Sequence, residues 1–337
     1  MQTLRLPNAC LSRLPELDAL PLLELDIHGN RLISLEGLPI TLKKLDCSFN
    51  SILGDGLTQP LPHLEILILH HNRINIFDNE EFVQFFPRLK ILDFSHNCLK
   101  HTPFLQYTNI EELYLSENRL QTIIGLPRDL KKLIADTNNI SMVQSRLPPL
   151  LEIIDLGYNY LHFAGLPMSW PSGLRELHLD RNEIEKFPRN LPDSLEVLTL
   201  NENNLTELPS KLPQHLRYLT VNSNRIRYLP MYTQRFTVFL ISNNCLTQSS
   251  FNIQTQLFTA DRNWNEDKHT NSQRIIKQCW KRYCLTLRLR HLLRTNRYKQ
   301  ELFEISMCPE RCYQIDSLDP IWFRKGQHHI HTGHHSD

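Results

Sequence analysis

The chain has 337 residues, of which 41% are hydrophobic and 22% charged, and no apolar run approaches the ~20 residues that span a bilayer. These figures exclude a chain of membrane-spanning helices and a disordered polyelectrolyte, and they leave a soluble chain of one extended or two compact domains. The formal charge of +1 hides an asymmetry, because thirteen Lys/Arg stand against six Asp/Glu from Lys268 onward, so a basic tail of net +7 follows an acidic body of net −6.

The first residues, MQTLRLPNAC, have neither a basic n-region nor a continuous apolar segment, so no secretory signal is expected and the chain is assigned to the cytoplasm. Eight cysteines lie scattered without a paired framework. Cys10, Cys47, Cys98 and Cys245 fall where a repeated pattern wants small apolar residues, which is the usage of reduced thiols.

From Leu4 to about residue 265 one phrase recurs: Leu, two residues, Leu, one residue, Leu, two residues, Asn. Its copies align on Asn30, Asn50, Asn72, Asn97, Asn118, Asn138, Asn159, Asn182, Asn203, Asn224 and Asn244, with degenerate copies centred on Ala9 and Asn263. The alternation of the last two apolar positions, as at Leu177 and Leu179, is the period of a strand with one buried and one wet face. No single copy can close a core around them, so the copies must stack. The pattern LxxLxLxxN resembles the leucine-rich-repeat family. The resemblance implies an α/β-type solenoid, a curved horseshoe of about 12 to 13 repeats with a parallel sheet on its concave side. It also implies that each Asn amide hydrogen-bonds backbone groups in adjoining turns, making a structural ladder.

Between the strands lie Gly37-Leu38-Pro39, Gly125-Leu126-Pro127, Gly165-Leu166-Pro167, Leu191-Pro192, Leu208-Pro209, Leu212-Pro213 and Leu229-Pro230. Proline fixes φ, removes a donor and biases the residue before it to extended backbone, so the convex side is expected to be mostly extended or 3₁₀. A helical turn is expected only in the longest return, DNEEFVQFFPRL.

The position between the last two leucine sites reads Asp26, Asp46, Ile68, Asp93, Tyr114, Ile134, Asp155, His178, Thr199, Thr220 and Leu240. The next concave column reads His28, Ser48, His70, Ser95, Ser116, Asp136, Gly157, Asp180, Asn201, Asn222 and Ser242. Aromatic anchors among charges are an interface composition, and the candidate partner-binding residues are Phe49, Tyr114, Asp136, Asp155, Tyr158, His178 and Asp180. The competing reading is that small polar residues occupy these columns only because they are soluble and bond nearby backbone. His70, His71, His96 and His178 raise the question of a metal, but adjacent strands are expected to spread them apart, and no metal site is assigned.

After the repeats, residues 266–306 read as a basic amphipathic helix. Thr270 and Gln273 make a capping box, and Ile276, Trp280, Tyr283 and Leu287 form one apolar face. Lys277, Lys281, Arg282, Arg288, Arg290 and Arg294 supply its charge. This segment is expected to cap the solenoid in part. Its cations also suit nucleic acid or an anionic membrane, which is the alternative function. The run IIKQCWKRYCLTLRLR resembles a degenerate calmodulin-binding IQ motif, with Lys277 in place of the motif's Gln and Arg282 in place of its Gly. The segment RYKQELFEISMCPERCYQI resembles the tail of uncharacterised leucine-rich-repeat proteins of large DNA viruses, which would place the protein in a host cytoplasm. Residues 307–337 read as an irregular His-rich tail; Cys308 and Cys312 with His328, His329, His331, His334 and His335 pose a zinc question, answered here by low-complexity solvation.

No glycine-rich phosphate loop or nucleophile motif is present. Bacterial ubiquitin ligases with similar LP-rich repeats use a Cys-x-Asp motif, whereas Cys279, Cys284, Cys308 and Cys312 are followed two residues later by Lys281, Thr286, Glu310 and Gln314. The expectation is a non-enzymatic scaffold without cofactor or small-molecule substrate, whose concave face binds another protein that presents basic residues.

Overall fold

A computed structural model describes residues 2–56, 59–75, 82–246 and 254–260. Short strands follow one another along the chain: β1 Thr3–Arg5, β2 Glu24–Asp26, β3 Lys44–Asp46, β4 Ile66–Ile68, β5 Ile91–Asp93, β6 Glu112–Tyr114, β7 Thr122–Ile123, β8 Lys132–Ile134, β9 Met142–Val143, β10 Ile153–Asp155, β11 Glu176–His178, β12 Val197–Thr199, β13 Tyr218–Thr220, β14 Arg235–Leu240 and β15 Gln254–Thr259. All but β7 and β9 join one 13-stranded sheet in sequence order, and every pairing is parallel. Each copy thus crosses back over the core and lays its strand beside the one before.

The two apolar positions of each copy enter that core. Leu45 and Cys47, Leu113 and Leu115, Leu177 and Leu179, and Leu219 and Val221 are all 0% exposed. One continuous apolar cluster runs from Leu17 to Leu246. The thiols behave differently from one another: Cys47 fills a core position, while Cys10 and Cys245 are exposed and Cys98 is half-buried. The expectation that all four serve as small apolar core residues therefore holds for Cys47 alone, because Cys98 and Cys245 follow the ladder Asn and point out of the strand-to-return turn.

Where a core-facing strand ends, the Asn takes over. From Asn30 to Asn244 each side-chain oxygen accepts a backbone N–H of the preceding copy at 2.9–3.0 Å. Each amide nitrogen donates to a carbonyl of that same copy at 2.8–3.1 Å. These amides are 5–9% exposed, so the ladder satisfies backbone groups that water does not reach.

The returns follow the prolines. The carbonyls of Pro127, Pro171, Pro192 and Pro213 accept from Leu130, Leu174, Leu195 and Leu216, closing the turns that lead into the next strands. Gly37 and Gly125, which precede two of the Leu-Pro pairs, have φ of 73° and 67° and use the left-handed region open to glycine. Helix is confined among the described residues to α1, Phe82–Phe85, in the longest return, and to 3₁₀ turns at Gly54–Gly56 and Phe163–Gly165. Strands β7 and β9 pair on the side of the returns, as extended returns of neighbouring copies can. No helix among the described residues is long and apolar enough to cross a membrane.

Candidate protein-binding face

Strand register places Asp26, Asp46, Ile68, Asp93, Tyr114, Ile134, Asp155, His178, Thr199, Thr220 and Leu240 in one row, on the side of the sheet opposite the leucines. The centre of this row carries a connected polar cluster. His178 is 8% exposed, with Asp155 across the ladder on β10 and Thr199 on β12. The Thr199 hydroxyl donates to Asp180 Oδ2 at 2.5 Å, so at the 3.2 Å contact it accepts from His178 Nδ1–H. His178 Nε2 then faces Glu176 at 3.8 Å. Asp180 Oδ1 accepts from the backbone and side-chain nitrogens of Asn201 at 2.6 and 2.7 Å. A rail continues from Asn201 to the Asn222 N–H at 2.9 Å, and from Asn222 to the Ser242 N–H at 2.7 Å.

Burial dominates the proton affinities of this cluster. It pushes the Asp155 carboxyl up to about 6 against the pull of His178, with the Asp136 charge adding to the rise. Burial also raises Asp180, opposed by its bonds to Thr199 and Asn201 and by His178. For His178 burial favours the neutral ring, yet Glu176, Asp155 and Asp180 together outweigh it and the imidazole is held above its ordinary value. The face therefore concentrates negative potential around one enclosed imidazole.

The other predicted residues divide. Asp136 is half-buried and accepts from Ser116 Oγ at 2.5 Å and from Thr137. Tyr114, expected as a projecting anchor, is 8% exposed: its hydroxyl bonds Glu112 and accepts from Lys132 Nζ at 2.8 Å, and that ammonium lies 4.6 Å from the ring centre. Its long side chain lies down along the sheet because two charged neighbours hold its polar end. Phe49 and Tyr158 are 48% and 50% exposed, but they belong to a different row.

That row is the residue just before each ladder Asn; the sequence singles out Phe49, Tyr158, His71 and His96 of it but not that they share one row. Phe49, His71, His96, Glu117, Thr137, Tyr158, Arg181, Glu202, Ser223 and Asn243 all have φ between 52° and 57°, a costly region for residues other than Gly and Asn. The signal was Gly29, the one glycine of the column, with φ of 70°. The turn aims these side chains along the rim of the sheet, where they contact one another from copy to copy. Phe49 stacks on His71 at 4.2 Å and His71 on His96 at 3.8 Å. His96 meets Glu117 at 2.8 Å. Arg181 sits 4.7 Å over the Tyr158 ring and 2.8 Å from Glu202. The expectation that strands spread the histidines apart is corrected here: His70, His71 and His96 lie in ring contact, and His178 stands elsewhere. Burial, then His96 and His70, lowers His71 to about 4, so that ring is uncharged at neutral pH.

Residues 62–120 match the Leucine rich repeat family. The described residues have the fold of a leucine-rich-repeat solenoid. YopM, a leucine-rich effector protein from Yersinia pestis, is 29% identical with a TM-score of 0.61, over 73% of this chain and 72% of that one. A chain in the octameric complex of Latrophilin 3, Unc5D and FLRT2 (LRR) gives the same TM-score of 0.61 at 20% identity, covering 71% of this chain and 81% of that one, and so shares the fold. Human Podocan-like protein 1 is 33% identical over 200 residues, 54% of this chain and 34% of its own length. Rat Osteomodulin is 28% identical over 138 residues, 37% of this chain and 32% of its own length. The chain spans about a third of the length of these two curated relatives. They lend no support to a viral source. Leucine-rich-repeat folds typically serve protein–protein interaction, as in the complex just named. The basic segment with Lys277, Lys281, Arg282, Arg288, Arg290 and Arg294, the tail after it and the copy centred on Asn263 lie outside the described residues.

Proposed function

We propose that this leucine-rich-repeat protein is a non-enzymatic scaffold whose concave face binds another protein, one that presents basic residues. The observation that carries the reading is the cluster of Asp136, Asp155 and Asp180 around His178. Burial raises the proton affinity of Asp155 and Asp180 there, and so makes their ionised forms costly until a cation arrives. A partner's Lys or Arg entering between them would relieve that cost, while exposed Tyr158 and Arg181 at the rim offer contact area. Capture by the intact chain should be compared with capture by Asp155→Asn, Asp180→Asn and Tyr158→Ala combined, substitutions that leave the core leucines untouched. The expected result is loss of the prey that the intact chain retains at low salt and releases at high salt; equal recovery of every prey would overturn the reading.

A cytoplasmic location belongs to the same proposal. It is supported by the unpaired state of all four described cysteines, including exposed Cys10 and Cys245. Fractionation of cells making the tagged full chain tests it, and recovery from the medium or secretory compartment would refute it.

A further inference from the structure

We propose that Asp26, His28 and Asp46 form a binding site for a divalent transition cation of the Zn²⁺ or Mn²⁺ class, near the N-terminal end of the sheet and remote in sequence from the Asp155–His178–Asp180 cluster. Asp26 and Asp46 are paired across β2 and β3, and His28 follows two residues after Asp26 on the same side. One ligand atom from each lies within 4.8 Å of the other two. Around a Zn²⁺ ion with ligands ~2.1 Å away at tetrahedral angles, donor atoms stand about 3.4 Å apart, so small side-chain rotations would close the set on an ion.

The carboxylates are already aimed. Asp26 Oδ1 accepts from the His28 backbone N–H at 3.2 Å, and Asp46 Oδ1 accepts from the backbone N–H and hydroxyl of Ser48 at 3.1 and 2.6 Å. His28 Nδ1 lies 2.6 Å from Asp26 Oδ1, a distance that requires a shared proton, and a cation entering the cluster would displace that proton and take both atoms as ligands. A second observation concerns the other ring nitrogen. His28 Nε2 is enclosed and has no hydrogen-bond partner among the described residues, although its side chain is only 14% exposed. The ring is held by its Nδ1, the nitrogen that meets Asp26. One imidazole with two carboxylates is a mixed donor set: the nitrogen favours Zn²⁺ or Mn²⁺ over Ca²⁺, and three protein ligands leave room for water or a partner's side chain.

The test is titration of the full chain with Zn²⁺, Mn²⁺ and Ca²⁺ by calorimetry, beside Asp46→Asn and the double variant Asp26→Asn with Asp46→Asn. The expected outcome is one Zn²⁺ bound by the intact chain that the double variant lacks, or holds about a hundredfold more weakly or worse, since even outer-shell substitutions cost 10–100-fold. Cysteines and histidines of the tail are present in both proteins and contribute equally. Cobalt substitution adds an independent readout, because this site contains no thiolate: the species lost in the variant should show ligand-field bands without sulfur charge transfer. Equal stoichiometry and affinity in all proteins, with matching circular dichroism and metal-free melting temperatures, would overturn the proposal. So would tighter binding of Ca²⁺ than of Zn²⁺ and Mn²⁺, or exclusively thiolate-bound cobalt.

Discussion

Asp155 shows how burial can set one ionisable residue against the stability of the fold. Its folded proton affinity sits at about 6, above the ~3.9 of an unfolded Asp. The folded chain therefore binds this proton more tightly than the unfolded one. The group favours folding fully below about pH 4, and that contribution is lost as pH rises through about 6. Asp155→Asn keeps the acceptor that Asp155 Oδ1 offers to the Gly157 N–H at 3.0 Å and removes the titration. The variant should melt above the intact chain at pH 8, with the gap narrowing as pH falls through about 6 and closing near pH 4; a gap that does not change with pH would contradict the assignment. The ladder amides make the opposite case, where the side chain serves only the fold. Asn159 satisfies the Ile140 N–H and the carbonyls of Ala135, Leu156 and Gly157, at 2.9, 3.1, 3.1 and 3.0 Å. Asn159→Ala leaves these groups buried without water, and at ~1–3 kcal/mol for a stranded group a loss on the order of 3 kcal/mol is expected, read as a lower urea midpoint. An unchanged midpoint would mean that water enters the turn.

At the scale of the element, the residue that leads into each strand of the main sheet from β3 to β13 carries a pattern the repeat consensus does not demand. Lys43, Glu65, Lys90, Glu111, Lys131, Glu152, Arg175, Glu196 and Arg217 are joined from copy to copy by backbone hydrogen bonds, and their signs alternate without a break. Ion pairs form along the stripe at 3.9 Å for Lys43–Glu65, 3.7 Å for Lys90–Glu111 and 2.6 Å for Lys131–Glu111. Opposite charges on neighbouring strands favour the observed order of copies, since skipping one copy would set like beside like. Reversing one member tests this. Lys131→Glu would stand between Glu111 and Glu152, and it should lower the melting temperature at low ionic strength and recover most of the loss in high salt, as screened surface charges do. A salt-independent loss would point to packing instead. This stripe is open to view in the sequence, two residues ahead of the first apolar position of L-x-L in the copies from Lys43 to Arg217, but the leucines suffice to fix the register without it. The strands, the prolines' entry turns and the sheet face were legible because their periods are short and dictated by backbone geometry. The rim row was not, because a left-handed turn residue has no composition of its own when the turn tolerates Phe, His, Glu, Thr and Arg alike. Nor was the lying-down of Tyr114, which depends on Glu112 and on Lys132 one copy away.

Each strand of the described sheet is hydrogen-bonded in the sheet to its neighbours in sequence order, so stability is approximately a sum of copies and of the interfaces between them. Such an array has no centre, and damage to it has an address. Leu177 on β11 is 0% exposed, with Leu and Ile at the same place on the flanking strands, Ile154 on β10 and Leu198 on β12. Leu177→Ala opens a cavity there at a cost of ~2–5 kcal/mol. In a compact globule with one shared core, that loss would lower the protection of every slowly exchanging amide alike. In the stacked array, the copies around β11 can open while β2, β3 and β4 remain paired to each other, since no contact of theirs passes through Leu177. Native-state hydrogen exchange on the full chain should show faster exchange concentrated in the backbone around residues 150–205, with the strands before residue 70 little changed. Uniform acceleration from β1 to β14 would show instead that the copies open as a single unit, and a partner held at the Asp155–His178–Asp180 cluster would then stabilise the far end of the sheet as much as the strands it touches.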